Sequence, residues 1–454
     1  MNKCPVFPDP SKRKFSIFKF LFKKNRSWLD VLKPKSYKMK MGKMALPNHK
    51  VFILNDAKEV KRLMVQEPNA FPKNKVYHEA LESLLGETAF TTNGKQWKHQ
   101  RKLLLPAFRK KRLESGYKHM LNATEAMLTR LKVFNADDVI DMEFELKMVT
   151  SDIIFRSMFT RSLDQQEATN ILNAFKRYQD YSPLVSFFKV GGFEKYFFYK
   201  WLFKKRDHQK KVVRAYLDKV VERRFTEFAE GIAYDDMLQD IFEVAQAAEQ
   251  DYSLEEMTNQ MALLFLAGHE TSATSLVWTL YLLAQFSEDQ QKVFDEVLSI
   301  RSQGAFSSED LKKLEYLKMV FMESLRLYPP VGLMSRQPIQ RSEIRGSILN
   351  KEDAIVIAPW LIHRSENYWE DPNEFCPARF ESGDPSERGA YLPFGLGQRM
   401  CIGMGFAEQE ALLVLATLVR EYKIELAPGF EPEVVGKITL RSENGLQVIL
   451  RPRG

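Results

Sequence analysis

Cysteine is scarce: Cys4, Cys376 and Cys401 are the only three in 454 residues. An odd, sparse set cannot build a disulfide framework, so a disulfide-stapled fold is excluded and a reducing compartment fits. No stretch rich in Pro, Gly or Ser is long enough to separate two cores, and neither an internal repeat nor a low-complexity tract occurs. Collagen-like, solenoid and disordered chains are thereby excluded, and one large globular domain is expected. Long apolar runs are also rare. Phe15 to Phe22 spans eight residues with Lys19 inside it, too short to cross a bilayer. Met261 to Phe286 is longer but holds Gly268, His269, Glu270, Thr271 and Ser272 near its centre. A carboxylate there costs roughly 2.5 to 3.5 kcal/mol in a membrane. The segment therefore reads as a buried helix through a soluble protein.

Charge is present but unevenly placed. The chain totals +8, and residues 1–43 hold 13 Lys or Arg against Asp9 and Asp30, a net of +11 that leaves −3 for the remainder. The arm over residues 1–30 is expected to be solvated and partly mobile, with contact to an anionic membrane surface as its alternative. Nucleic-acid binding is the weakest reading, because the excess charge is terminal and no binding motif accompanies it. A cytoplasmic chain with at most peripheral membrane contact is expected.

The patterning predicts a mainly α fold with small β-sheets. Residues 37–56 read as a hairpin ending at Asn55-Asp56, and Ala57 to Ser299 as mostly helix, broken near Pro68, Pro72, Pro106, Pro183 and Gly191-Gly192. Glu309 to Leu327 has apolar residues at helical spacing until Pro329-Pro330. Ala354 to Ala358 reads as a buried strand, and Asn444-Gly445 as the turn of a hairpin joining 438–440 to 446–450. A glycine-rich loop, Phe394 to Gly405, leads into the apolar helix Ala407 to Tyr422.

That loop concentrates chemistry. Phe394, Gly395, Gly397, Arg399, Cys401 and Gly403 fall within ten residues. Glycines let backbone approach a flat ligand, a cysteine at a helix start faces N–H groups that favour its thiolate, and Arg399 can neutralise an acidic cofactor substituent.

The run Phe-x-x-Gly-x-Arg-x-Cys-x-Gly over 394–403 resembles the signature of the cytochrome P-450 family of heme-thiolate monooxygenases, with every fixed position present. The resemblance implies that Cys401 is the axial ligand of heme b iron. Further family motifs follow in order. Trp97 and Arg101 resemble the Trp-x-x-x-Arg pair that meets a heme propionate, with Arg336 and Arg399 as further partners by position. Ala267-Gly268-His269-Glu270-Thr271 resembles the oxygen-activation motif. There Ala267 and Gly268 lie over the heme, Gly268 leaves room for dioxygen, and Glu270 with Thr271 relays protons; the Thr271 hydroxyl is expected to divert a backbone bond and open a groove. His269 is expected to be hydrogen-bonded and not a ligand. Glu323 and Arg326 resemble Glu-x-x-Arg, and Phe375 to Phe380 the segment whose Arg379 completes a structural ionic triad; Ala378 stands where the family often has Glu.

The implied fold is the cytochrome P-450 fold, a single triangular domain over residues 31–454, and the missing anchor suggests a soluble bacterial-type member. The implied chemistry inserts one oxygen atom of O2 into a C–H bond, giving hydroxylation or O-demethylation. An acidic ferredoxin or flavodoxin and an NAD(P)H-dependent reductase would supply electrons to a monomer, docking on a run from Lys95 to Lys118 with nine Lys or Arg and one acid. Tyr77, Leu263, Ala267, Val331, Leu333 and Met334 correspond to an apolar distal pocket. The segment Tyr196 to Phe203 is left open between a lid, a membrane-touching patch and plain packing. A peroxide-dependent or isomerising enzyme and a non-enzymatic heme sensor are the alternatives; the intact Glu270-Thr271 pair argues against the first.

Overall fold

The computed structural model describes residues 4–10, 27–45, 50–74, 81–82, 84–190, 195–248, 252–383 and 389–453. Tyr77, Gly191-Gly192 and the Phe15 to Phe22 run lie outside the described residues. Helix dominates the middle of the chain, as the apolar spacing predicts. The long helices are α1 (Gly94–Leu104), α2 (Lys110–Leu131), α3 (Met142–Phe159), α4 (Gln165–Val190), α5 (Phe197–Ala229), α6 (Met237–Ala247), α7 (Leu254–Gln285), α8 (Ser287–Ile300), α9 (Glu315–Leu327) and α10 (Met404–Glu421). Two expectations are corrected. Pro183 lies inside α4 and does not end it. The helix expected over 309–327 is two pieces, because Ser307 and Asp310 form a capping box on the short turn Ser308–Leu311, and α9 starts afresh at Glu315.

The chain divides into two compact units, residues 1–74, 126–146 and 271–454, and residues 75–125 and 147–270. The first unit holds the sheets. β1 (Met41–Ala45) and β2 (Lys50–Leu54) form the expected hairpin, and β2 then pairs in parallel with β7 (Ala354–Ile357), itself antiparallel to β4 (Met334–Arg336). Alternation turns Phe52, Leu54, Ile355 and Ile357 inward onto Leu63, Phe71 and Leu392. The short strands β5 (Ser342–Ile344) and β6 (Ser347–Leu349) pair with each other.

The hairpin expected around Asn444-Gly445 does not form. β10 (Leu440–Ser442) pairs back with β9 (Val434–Gly436), whereas β11 (Gln447–Pro452) lies between β3 (Val139–Asp141) and β8 (Tyr422–Leu426). The turn signal is local, but distant strands offer more ladder to β11 than its neighbour does.

Residues 4–10 are held against the first unit. The Val6 N–H donates to the Tyr281 hydroxyl at 3.0 Å, and the Tyr328 hydroxyl donates to the Val6 carbonyl at 2.6 Å. Phe7 stacks on Trp360 at 6.0 Å, and the guanidinium of the fully buried Arg364 lies 3.6 Å from the Trp360 ring centre.

In the second unit α3, α4 and α7 share an aromatic core in which Phe155 meets Phe159 at 4.8 Å and Phe265 edge-on at 6.3 Å. Plain packing does not describe the start of α5. Tyr196, Phe197, Phe198, Trp201 and Phe203 are exposed, Phe197 by 84%.

Candidate active site

The loop around Cys401 is shaped by glycine. Gly395 and Gly397 take φ of +75° and +69°, a left-handed backbone, and a Cβ at 397 would overlap the Met64 carbonyl. The Cys401 N–H donates to the Phe394 carbonyl at 2.9 Å, and Gly403 caps α10, so the exposed Cys401 sulfur stands just ahead of a helix N-terminus. Arg399 is half-buried in the same loop.

The expected triad comes together. Arg326 grips Glu323 through two bonds of 2.6 and 2.8 Å, both side chains fully buried, and Arg379 Nε lies 3.4 Å from Glu323 Oε1. Arg326 also donates to the carbonyls of His363, Pro372 and Glu374, and the Cys376 N–H donates to Glu323 at 2.9 Å. Such saturation is what lets a buried pair persist. His363, which sequence reasoning missed, joins this knot to the cysteine loop: its Nδ1 bonds the Arg326 carbonyl at 3.1 Å and its Nε2 accepts from the Leu392 N–H at 2.7 Å. Burial, then nearby Arg326, pulls its pKa down to about 3, so it stays neutral.

Within α7 every residue from 257 to 283 is buried except Ala267, Gly268 and Thr271, which form one open stripe at i, i+1 and i+4. Leu263 is buried one turn earlier. The helix is continuous from Leu254 to Gln285; the Thr150 hydroxyl donates to the His269 carbonyl at 3.1 Å, and the Ser275 hydroxyl donates to the Thr271 carbonyl at 2.9 Å. A Cβ on Gly268 would sit 3.0 Å from Ile154 Cγ1, so the glycine serves helix approach to α3. Glu270 Oε1 accepts from Gln179 Nε2 at 3.1 Å. His269 is buried and neutral, its Nδ1 bonded to the Phe265 carbonyl at 2.8 Å. Gln179, 91 residues away on α4, carried no local signal.

Trp97, buried, and Arg101, half-buried, lie one turn apart on α1. Val331 is exposed, and Leu333 and Met334 are half-buried on the approach to β4. Arg336 on β4 is buried, donates to the Ser335 carbonyl at 2.8 Å, and has no carboxylate partner among the described residues; burial lowers its pKa to about 10. A buried guanidinium lacking an anion, in the unit that presents the Cys401 thiol, fits a heme with its propionates. Glu410 on α10 was also missed: it is buried, neither oxygen has a hydrogen-bond partner of good geometry among the described residues, and burial pushes its pKa up to about 8 against a smaller opposing pull from Ser272.

A family model described as cytochrome P450 matches residues 10–448. Two Arabidopsis thaliana proteins named cytokinin hydroxylase are 28% and 29% identical to this chain over 403 and 411 residues, covering 88% of it and 78% and 79% of theirs. Cytochrome P450 4V2 of Rattus norvegicus is 28% identical over 400 residues, 83% of this chain and 76% of the relative. These relatives are from plants and a mammal, and the bacterial-type expectation finds no support among them. The chain belongs to the cytochrome P450 family, as a monooxygenase of the oxidoreductase class whose prosthetic group is heme b.

Proposed function

We propose that Cys401 would hold the heme iron through its thiolate and that the enzyme places one oxygen atom of O2 into a C–H bond of a small, largely apolar substrate. Hydroxylation is favoured over O-demethylation because two relatives bear the name hydroxylase. The observation that carries the reading is the exposed sulfur at the head of α10 in a loop only glycine can form. Heme, when bound, supplies the capture and reductive activation of dioxygen.

The chain's own residues do the rest. Trp97, Arg101, Arg336 and Arg399 would donate to the propionates, and Phe394, Gly395 and Gly403 would let the loop backbone approach the macrocycle. Glu323, Arg326 and Arg379 hold the loop's support. Ala267 and Gly268 keep the α7 stripe shallow, and Thr271 presents a hydroxyl that donates a proton at the distal side. Glu270 replenishes that proton, and because its Oε1 is bonded to Gln179, delivery requires the carboxyl to leave that partner. The family resemblance, and not a described contact, assigns Tyr77, Leu263, Val331, Leu333 and Met334 to the apolar substrate pocket.

Electrons come from separate carriers. Lys95, Lys98, Lys102, Arg109, Lys110, Lys111 and Lys118 are exposed, a field suited to an acidic ferredoxin or flavodoxin served by an NAD(P)H-dependent reductase. The same reading takes residues 31–454 as the heme-thiolate domain and 1–30 as a basic arm of a cytoplasmic monomer, the sparse cysteines being its support. Among the described residues, no helix is long and apolar enough to cross a membrane. The test is the carbon monoxide difference spectrum of the reduced protein. Wild type is expected to give the red-shifted Soret band of thiolate-ligated heme and Cys401→Ala to lose it; a wild type without that band overturns the assignment.

A further inference from the structure

Trp28 is wedged against two glycines that are far apart in sequence. It opens a single 3-10 turn, Trp28–Val31, whose N-cap Ser27 accepts from the Leu29 N–H at 3.2 Å and from the Gly436 N–H at 2.8 Å. The indole covers the α-carbon of Gly332, just before β4, and that of Gly436 at the end of β9. A Cβ on either glycine would fall inside the ring atoms. Neither glycine has a positive φ, so their smallness answers to the indole and not to backbone conformation.

The two glycine segments are otherwise tied to each other. The Leu440 N–H, from the strand paired with β9, donates to the Pro330 carbonyl at 2.9 Å, and the Trp360 N–H reaches the Gly332 carbonyl at 3.5 Å. Trp360 meets Trp28 edge-on at 6.3 Å, and the Trp360 indole N–H donates to the Tyr37 hydroxyl at 2.9 Å. Val331 and Leu333 flank Gly332 directly and are exposed and half-buried, respectively. A shift of the indole therefore moves the backbone that carries both.

We infer that Trp28 is a specificity-positioning residue: seated between Gly332 and Gly436, it sets where Val331 and Leu333 stand and hence how much room the distal pocket leaves for a bulky apolar ligand. The inference rests on the proposed assignment of Val331 and Leu333 to that pocket. Its mechanism is geometric. A close-packed contact with no slack transmits displacement, whereas a loose one absorbs it. The basic arm, whatever else it touches, thus ends in a residue that gauges the active-site wall.

The test uses two azoles that bind the iron through nitrogen and differ in bulk, imidazole and 4-phenylimidazole, with the full-length heme-loaded protein. Affinities are read from the Soret shift, and the ratio of the two Kd values is compared among wild type, Trp28→Ala, Trp28→Phe and Val331→Trp. Trp28→Ala is expected to change the ratio at least fivefold with the carbon monoxide spectrum intact, and Trp28→Phe to keep it within twofold of wild type. A merely structural role would weaken both azoles together and leave the ratio alone. If Val331→Trp changes the ratio but Trp28→Ala does not, the positioning role is overturned while the pocket assignment stands. If Val331→Trp also leaves the ratio unchanged, the pocket assignment fails and takes this inference with it. Should Trp28→Ala not retain heme, Gly436→Ala, which pushes a single methyl into the indole, carries the same measurement with the same expected shift.

Discussion

Two buried glutamates show how differently one residue type can be treated. Glu323 is saturated by Arg326, Arg379 and the Cys376 N–H, so its charge is kept. Removing it leaves Arg326 buried beside carbonyls alone. Glu323→Ala is expected to cost about 3–5 kcal/mol in urea unfolding, with heme lost at lower denaturant than in wild type. Glu410 has the opposite fate. Its pKa is raised from 4.5 to about 8 by burial, so below pH 4.5 folded and unfolded states are both protonated and nothing is lost. Between pH 4.5 and 8 the unfolded chain ionises while the folded one holds its proton, and stability falls as pH rises. Glu410→Gln removes that drain. Its unfolding free energy in urea is expected to exceed that of wild type by an amount that grows from pH 4.5 to 8 and then levels, with a ceiling of about 5 kcal/mol. A gain independent of pH would contradict the buried neutral acid.

Among elements, the loops and helices around Cys401 test how far glycine is indispensable. Gly397→Ala places a methyl against the Met64 carbonyl in a left-handed backbone. It is expected to lower heme retention and broaden the thiolate band. Gly268→Ala meets the Ile154 side chain, Cγ1 at 3.0 Å and Cδ1 at 3.2 Å, and no backbone. Its destabilisation, about 1–3 kcal/mol by overpacking, is expected to be non-additive with that of Ile154→Ala, which removes both close atoms, a double-mutant coupling readable by denaturant unfolding. The contrast also explains what was legible beforehand. The cysteine loop, the Glu323–Arg326 pair and the β1–β2 hairpin depend on short-range spacing, and the chain states them openly. His363, Gln179 and Glu410 gain their importance from partners or burial that only the fold supplies, so no local pattern announces them. The C-terminal hairpin failed for the same reason: Asn444-Gly445 can turn, but β11 finds β3 and β8, and a turn signal carries no information about distant competitors.

For the whole molecule, charge placement makes its own prediction. The exposed lysines between residues 95 and 118 are the field proposed for an acidic electron carrier. Replacing Lys98, Lys102 and Lys111 by Glu is expected to slow reduction by an acidic ferredoxin about tenfold at low ionic strength in stopped-flow measurements. The dependence on salt should flatten, and the azole affinities should stay put. Slowing that persists unchanged at high salt would point away from electrostatic docking.

The interleaved make-up of the two units governs the order in which a nascent polypeptide can assemble. The unit of residues 75–125 and 147–270 has all its parts once position 270 has emerged, but the other must hold Val51 to Leu54 without their parallel partner until residues 354–357 arrive, and lacks β11 until residue 452. At ribosomal speeds the interval from 270 to 452 lasts roughly 9 to 36 seconds. Until residues 354–357 have emerged, roughly 4 to 17 seconds after residue 270, the half-built β1–β2 edge, with Phe52 and Leu54 uncovered, is the surface a chaperone would be called on to shield.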